Sequence, residues 1–413
     1  MAIKKGFSFV TVGQSLIKRD ISAYNDQAFR DCIEIIQAGD VSFTNLETTI
    51  KGTHGGWPTK ASYVGASDPV VLDNLKSIGF DMLSLANNHA FDLGPPGVLS
   101  AMEETERRGF CFAGVGHDLT DASKPGFADM DIGRVALVAV DGGPCPPYCH
   151  AMDATEKVAS RPGLNPLKVN SDILLSPDEY QTMRNIHSEM GHDQFWNTRR
   201  TGKVGRHGGI SEDNVDFFGV RFAEGDEHKL RGTMDADDLA RIENSIHDAQ
   251  KDADFVVVYL HHHHWEANWE DVPAWHQDFA HACIDAGANA YVSHGVPILL
   301  GLEIYNRSPI FYSLGNFIFH SFNPMGWFHD DTWCSVIASC DFGADGKLNG
   351  IRIDPIAIGG TAALAAGDFE YREVPHLVRD AKGMETLERY ARVSREFGTT
   401  IEINDSAGLV RVA

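Results

Sequence analysis

No stretch of this 413-residue chain supplies the run of about 20 apolar residues that spanning a bilayer requires. The short apolar segment after Lys4 and Lys5 leads into a strand pattern instead. A membrane role is thereby disfavoured, and a soluble, cytoplasmic protein is expected. Cysteine is sparse: seven residues, an odd number scattered without a framework, which suits a reducing compartment. Cys145-Pro-Pro-Tyr-Cys149-His150 lacks the second cysteine pair of a metal knuckle and reads as a proline-rich loop. Cations are short as well. Thirty-five Lys and Arg against 58 Asp and Glu leave a formal charge of −23, which works against nucleic acid, anionic membranes and polyanionic substrates. Internal repeats, low-complexity tracts and a P-loop are missing.

What is present is a repeated pattern of strand followed by polar strand end. Phe255-Val-Val-Val-Tyr-Leu is a continuous β-branched and aromatic run, the mark of a strand buried on both faces, and His261 to His264 stand where it ends. Ligands of open α/β sheets bind outside the carboxyl ends of strands, and imidazole is a common metal ligand. On an extended backbone His261 and His263 face one way, His262 and His264 the other. Ala290 to His294 is a second short strand ending in histidine, with a helical stretch, Gln277 to Gly287, between the two. The same grammar runs through the N-terminal half. One strand leads to Gln14, the next to Asn45 and Glu47, and a third enters Ala86-Asn-Asn-His-Ala-Phe-Asp92. Helical spacing fills the intervals, so the fold class is α/β.

From Gly142 to Met234 the alternation breaks. Such an insertion within one domain is expected to form a lid or substrate-binding region. Its Arg199, Arg200 and Arg206 offset the acidity of the chain and could dock an anionic group. Two strands, Ser335 to Phe342 and Leu348 to Ile358, and a helix, Gly383 to Phe397, are expected to finish the chain. Asn316 lies in an apolar setting where a lone amide needs a partner, which points to a role.

Asn45-Leu-Glu-Thr, Ser84-Leu-Ala-Asn-Asn-His-Ala-Phe-Asp-Leu-Gly, the histidine after the Phe255 strand, Asp285-Ala-Gly-Ala and Tyr312-Ser-Leu-Gly-Asn-Phe resemble the CapA/PgsA type of poly-γ-glutamate capsule-synthesis protein. The late Val393-Ser-Arg-Glu-Phe-Gly-Thr399 fits too. The resemblance runs from about residue 7 to the C-terminus and implies a calcineurin-like metallophosphoesterase sandwich, two central β-sheets flanked by helices, over residues 1–413. It also exposes departures. Gln14 stands where the family places a metal-binding Asp, and Ser293-His-Gly-Val-Pro297 keeps His294 but loses the last histidine of the family block. One divalent ion (Zn, Mn or Fe) is therefore expected rather than two. Its ligands would come from Glu47, Asn88, His261, His263 and His294, with Gln14, Asn45 and His264 beside the substrate. His89 steered by Asp92 would act as general acid, with His262 and Asn316 assisting.

The function implied is a metal-dependent hydrolase. Metal-activated water would attack an amide or ester, less readily a phosphoester, of a small molecule or peptide. A metal-assisted acid–base epimerase and a non-catalytic capsule-biosynthesis protein are the alternatives. Nucleic acid and membrane are not expected as partners; a homo-oligomer is compatible.

Overall fold

The computed structural model describes residues 6–60, 64–191, 214–321, 329–362, 374–404 and 406–412. Contacts divide the chain into two compact units. The first comprises Met1–Leu167, Ala236–Val272 and His276–Ala413; the second comprises Lys168–Asp235 and Pro273–Trp275.

The first unit is mixed α/β and carries two large sheets. In the nine-stranded sheet, Phe7–Thr11, Val41–Asn45, Met82–Ser84 and Cys111–Ala113 run parallel in that order. Cys334–Phe342 lies antiparallel on the other side of Phe7–Thr11 and continues into Leu348–Ile358. The six-stranded sheet is centred on Phe255–His262, with Gly133–Gly143 and Ala290–His294 parallel on either side. Parallel strands bear helices on their connections and need apolar residues on both faces. Phe255–His262 is buried at every position, the apolar run Phe255 to Leu260 and the two histidines that end it alike.

Facing side chains of the two sheets share one core. Phe7, Phe9 and Phe43 meet Phe255, Val257 and Tyr259, and the Phe7 and Phe255 rings sit edge to face at 5.0 Å. Each such ring contributes roughly 1.5–3 kcal/mol by leaving water. On its other side the nine-stranded sheet packs Val10, Val12 and Leu83 against Phe29, Ile36, Leu72 and Val98. Those four come from helices Gln27–Gln37, Val70–Ile78 and Gly94–Arg107. Asp26 caps the first by accepting from the Phe29 N–H, and Gly79, at a φ of 111°, closes the second.

Two short strands missing from the sequence reading, Glu402–Asn404 and Ala407–Arg411, come after the last helix and extend the nine-stranded sheet. They are three and five residues long, too short for an alternation to declare itself, and Ala407–Arg411 lies between Leu348–Ile358 and the edge strand Glu402–Asn404. Among the described residues no helix is long and apolar enough to cross a membrane.

The stretch where alternation was lost is ordered in its own way. Val169–Leu175, Val215–Phe217, Val220–Glu224 and Leu230–Met234 make a four-stranded sheet in the second unit. Helix Pro177–Glu189 starts at a Ser176/Glu179 capping box. Arg199, Arg200 and Arg206, on which the anion-docking expectation rested, lie outside the described residues.

Candidate metal centre

The strand ends of both sheets converge. Asp141, His261 and His294 are Cα partners in one row across three parallel strands. From the other sheet, Val41–Asn45 leads to Glu47 and Met82–Ser84 leads to the loop that holds Asn87, Asn88 and His89. That loop is pinned by Asn87, whose Nδ2 donates to Leu46 O at 2.8 Å and to Asn45 Oδ1 at 3.2 Å. The Asn87 Oδ1 accepts from the His89 N–H at 3.0 Å.

Glu47, His261 and His263 bring one ligand atom each within 4.8 Å of one another. His261 Nε2 lies 3.7 Å from Glu47 Oε1, 3.1 Å from His263 Nε2 and 3.1 Å from Asn88 Oδ1. Bonds of about 2.0 Å in a tetrahedral site separate ligand atoms by roughly 3.3 Å, so these spacings fit a divalent ion. The chemistry fits as well. His261 Nε2 has Glu47, His263 and Asn88 around it, at most one N–H can lie between the two imidazoles, and Glu47 Oε2 is buried without a hydrogen bond. Tyr259 Oη stands 3.2 Å from His261 Nδ1, the arrangement that sets a ligand histidine's tautomer from behind.

Burial dominates the electrostatics. It lifts the Glu47 carboxyl to about 8, against the pull of Lys60, and Asp141 to about 7. It holds His261 far below the usual imidazole value, with His263 and His294 adding to the effect, and lowers His263 to about 4. The imidazoles are therefore neutral, the form that binds metal.

Beside this cluster sits an acid–base pair. His89 Nδ1 meets Asp92 Oδ2 at 2.7 Å, and the same oxygen accepts from the Gly65 N–H at 2.7 Å. Burial by itself would raise Asp92, but the bonds from His89 and Lys60 keep it below the usual carboxylate value. Asp92 is thus ionised and His89 Nδ1 is the donor. A Cβ on Gly65 would come within 2.8 Å of His89 Nδ1, so the missing side chain gives the imidazole its place.

The other expected ligand and substrate residues are not members of that three-residue group. His262 turns to the opposite face, where its Nε2 lies 3.1 Å from His276 Nδ1. His264 Nε2 lies 3.0 Å from Gly142 O. Asn316 is engaged inside the protein: it accepts from Gln14 Nε2 at 2.9 Å and donates to Thr332 O at 2.9 Å and Pro297 O at 3.3 Å. Gln14 therefore faces Asn316 through its amide nitrogen, with Oε1 buried and unbonded. His294, fully buried with its ring 5.3 Å from Tyr259 and both ring nitrogens without a hydrogen bond, stays outside the 4.8 Å group.

Lys60, Asp141 and Tyr259 were not singled out in the sequence. Asp141 obeys the strand-end rule and Tyr259 lies two residues before His261 on the same face, so both signals were available. Lys60 comes from a Gly- and Pro-rich stretch with no such signal.

Comparison with known proteins adds four findings. Residues 8–321 match the family described as bacterial capsule synthesis protein PGA_cap. An uncharacterized protein, y4sH, of Sinorhizobium fredii (strain NBRC 101917 / NGR234) is 30% identical over 98% of this chain and 93% of its own length. The PGA biosynthesis protein CapA of Bacillus subtilis (strain 168) is 26% identical over 61% of this chain and 45% of its own. Among solved structures, a hypothetical protein from Thermus thermophilus aligns with 84% of this chain and 98% of its own at 10% identity, with a TM-score of 0.42.

Proposed function

This chain belongs to the bacterial capsule synthesis protein PGA_cap family, and from that premise we propose that it is a metal-dependent hydrolase acting on an amide or ester of a small molecule or peptide. The observation that carries the reading is the convergence of Glu47, His261 and His263 on one point, with Asn88 Oδ1 3.1 Å from His261 Nε2. These four side chains would hold one ion of the Zn, Mn or Fe type. The bound ion supplies a water of lowered pKa and a Lewis acid. The finer architecture that goes with this reading is a calcineurin-like sandwich, to which the shared core of the two sheets is suited.

The protein's own groups do the rest. Asp92 accepts from His89 Nδ1, which fixes the ring and directs proton exchange to Nε2. There His89 delivers a proton to the leaving group. Burial of His261 and Glu47 excludes bulk water and strengthens every polar interaction inside the site. Tyr259 keeps the His261 ring oriented.

A second reading, a capsule-biosynthesis protein without catalysis, draws on the printed name of the Bacillus subtilis relative. One experiment separates the two. The purified chain is dialysed against Zn, Mn or Fe, analysed for bound metal, and assayed with p-nitrophenyl acetate and p-nitrophenyl phosphate. About one equivalent of metal and metal-dependent ester hydrolysis are expected. A protein that takes up no metal from any of the three would overturn the hydrolase.

A further inference from the structure

Lys60 is a cation placed against the acid–base pair and the metal-side loop together. Its Nζ lies 2.8 Å from Asp92 Oδ1 and donates to the Asn88 main-chain oxygen at 2.6 Å. Asn88 presents its side-chain oxygen to His261, and Asp92 receives the His89 proton. One ammonium thus ties the metal-facing loop to the acid–base pair. The bond to Asn88 uses one of its three N–H donors and the ion pair with Asp92 sets its position, so a donor is left over; the side chain is 37% exposed and not sealed into the core. Its field reaches Glu47, Asp141, His261 and His263.

Asp92 is buried, and His89 and Gly65 both meet its Oδ2, so Lys60 is the cation that faces Oδ1. A donor held firmly at two points, with a third left over, is suited to receiving an oxygen that becomes negative. We infer that Lys60 is a catalytic residue whose remaining N–H binds the carbonyl oxygen of the substrate, so that the site selects an acyl group whose oxygen can lie against this ammonium. The inference rests on the hydrolase reading for its substrate. As the oxygen of water bonds to the carbonyl carbon, the C=O π pair moves onto the oxygen facing Lys60. It returns when the bond to the leaving group breaks. His89 Nε2, unprotonated while Nδ1 donates to Asp92, takes the proton that the water gives up and delivers it to the leaving group, so the imidazole ends as it began.

The test uses the full chain with Lys60→Met, Lys60→Gln and Lys60→Arg. Bound metal, thermal midpoint, kcat and KM for p-nitrophenyl acetate, and the Kd of inorganic phosphate by calorimetry are read for each. The methionine and glutamine variants should keep their metal and melt near the wild type, and lose on the order of 10²-fold in kcat with little change in KM. They should bind phosphate about tenfold more weakly, and arginine should restore most of both. A purely structural Lys60 would instead lower metal content or melting temperature while leaving kcat per bound metal intact, and that result overturns the proposal. Should the wild type hydrolyse no ester, the hydrolase reading fails and phosphate binding alone decides Lys60. Unchanged phosphate affinity in folded Lys60→Met or Lys60→Gln, or none in the wild type, would sink it.

Discussion

At the scale of single residues, direction matters more than identity. Four consecutive histidines divide into two pairs with different neighbours. His261 and His263 face each other at 3.1 Å beside Glu47, while His262 pairs with His276. His261→Ala should therefore abolish stoichiometric metal binding, whereas His264→Ala should retain it. Elemental analysis after gel filtration reads both, and equal metal in the two variants would mean the ion sits elsewhere. Asp92 is a second residue whose charge matters more than its shape. It accepts from His89 and Gly65 through one oxygen and faces the Lys60 ammonium with the other, so Asp92→Asn must turn an NH₂ group toward a donor or a cation. We expect ester kcat to fall roughly 10²-fold with metal content unchanged, the size of a lost general acid. A kcat within a factor of three of wild type would remove His89 from the proton-delivery step.

At the scale of elements, the strand ends are shaped by the turns that succeed them. Gly295 comes directly after the Ala290–His294 strand with a φ of 114°, and a Cβ there would overlap the main-chain oxygen of His262. The turn that presents His294 and the end of the His261 strand thus depend on one missing side chain. Gly295→Ala should destabilise the fold by at least about 2 kcal/mol, since both the backbone conformation and the contact are unfavourable. Urea unfolding measures it; a midpoint equal to wild type would show that the turn relaxes freely. Most strands and helices here were legible because their apolar periods are long. The short strands Glu402–Asn404 and Ala407–Arg411 were not, because pairing with a neighbour, rather than pattern, makes them strands.

At the scale of the molecule, buried titratable groups set the response to pH. His276 is buried and neutral, lowered by burial to about 3 from the usual 6.5. Between those values the unfolded chain binds a proton that the folded chain refuses, so stability falls as pH drops below 6.5. Glu47 acts in the opposite sense without metal. Raised from 4.5 to about 8, it is protonated in the fold, and stability falls as pH rises through that window. The metal-free protein should melt highest in weakly acidic buffer. His276→Gln should reduce the acid-side slope by up to one proton, and zinc should flatten the alkaline side because binding requires an ionised Glu47. Melting curves across the pH range with and without zinc test all three, and an acid limb unaltered by His276→Gln would show that other groups govern it.

Much of the candidate site was open to a reader of the sequence because its rules are local. A buried strand ends where its apolar run ends, side chains alternate with period two, and Asn88, His89 and Asp92 lie within five positions of one loop. Glu47, His261 and His263 emerged from those rules. Tertiary packing decided which neighbours they meet. Lys60 reaches Asp92 across 32 positions, Gln14 meets Asn316 across 302, and His294 shares the strand row of His261 yet falls outside its ligand group. Alternation tells a side chain which face to take. Only the packing of one sheet on the other sets the few ångströms that separate a ligand from a bystander.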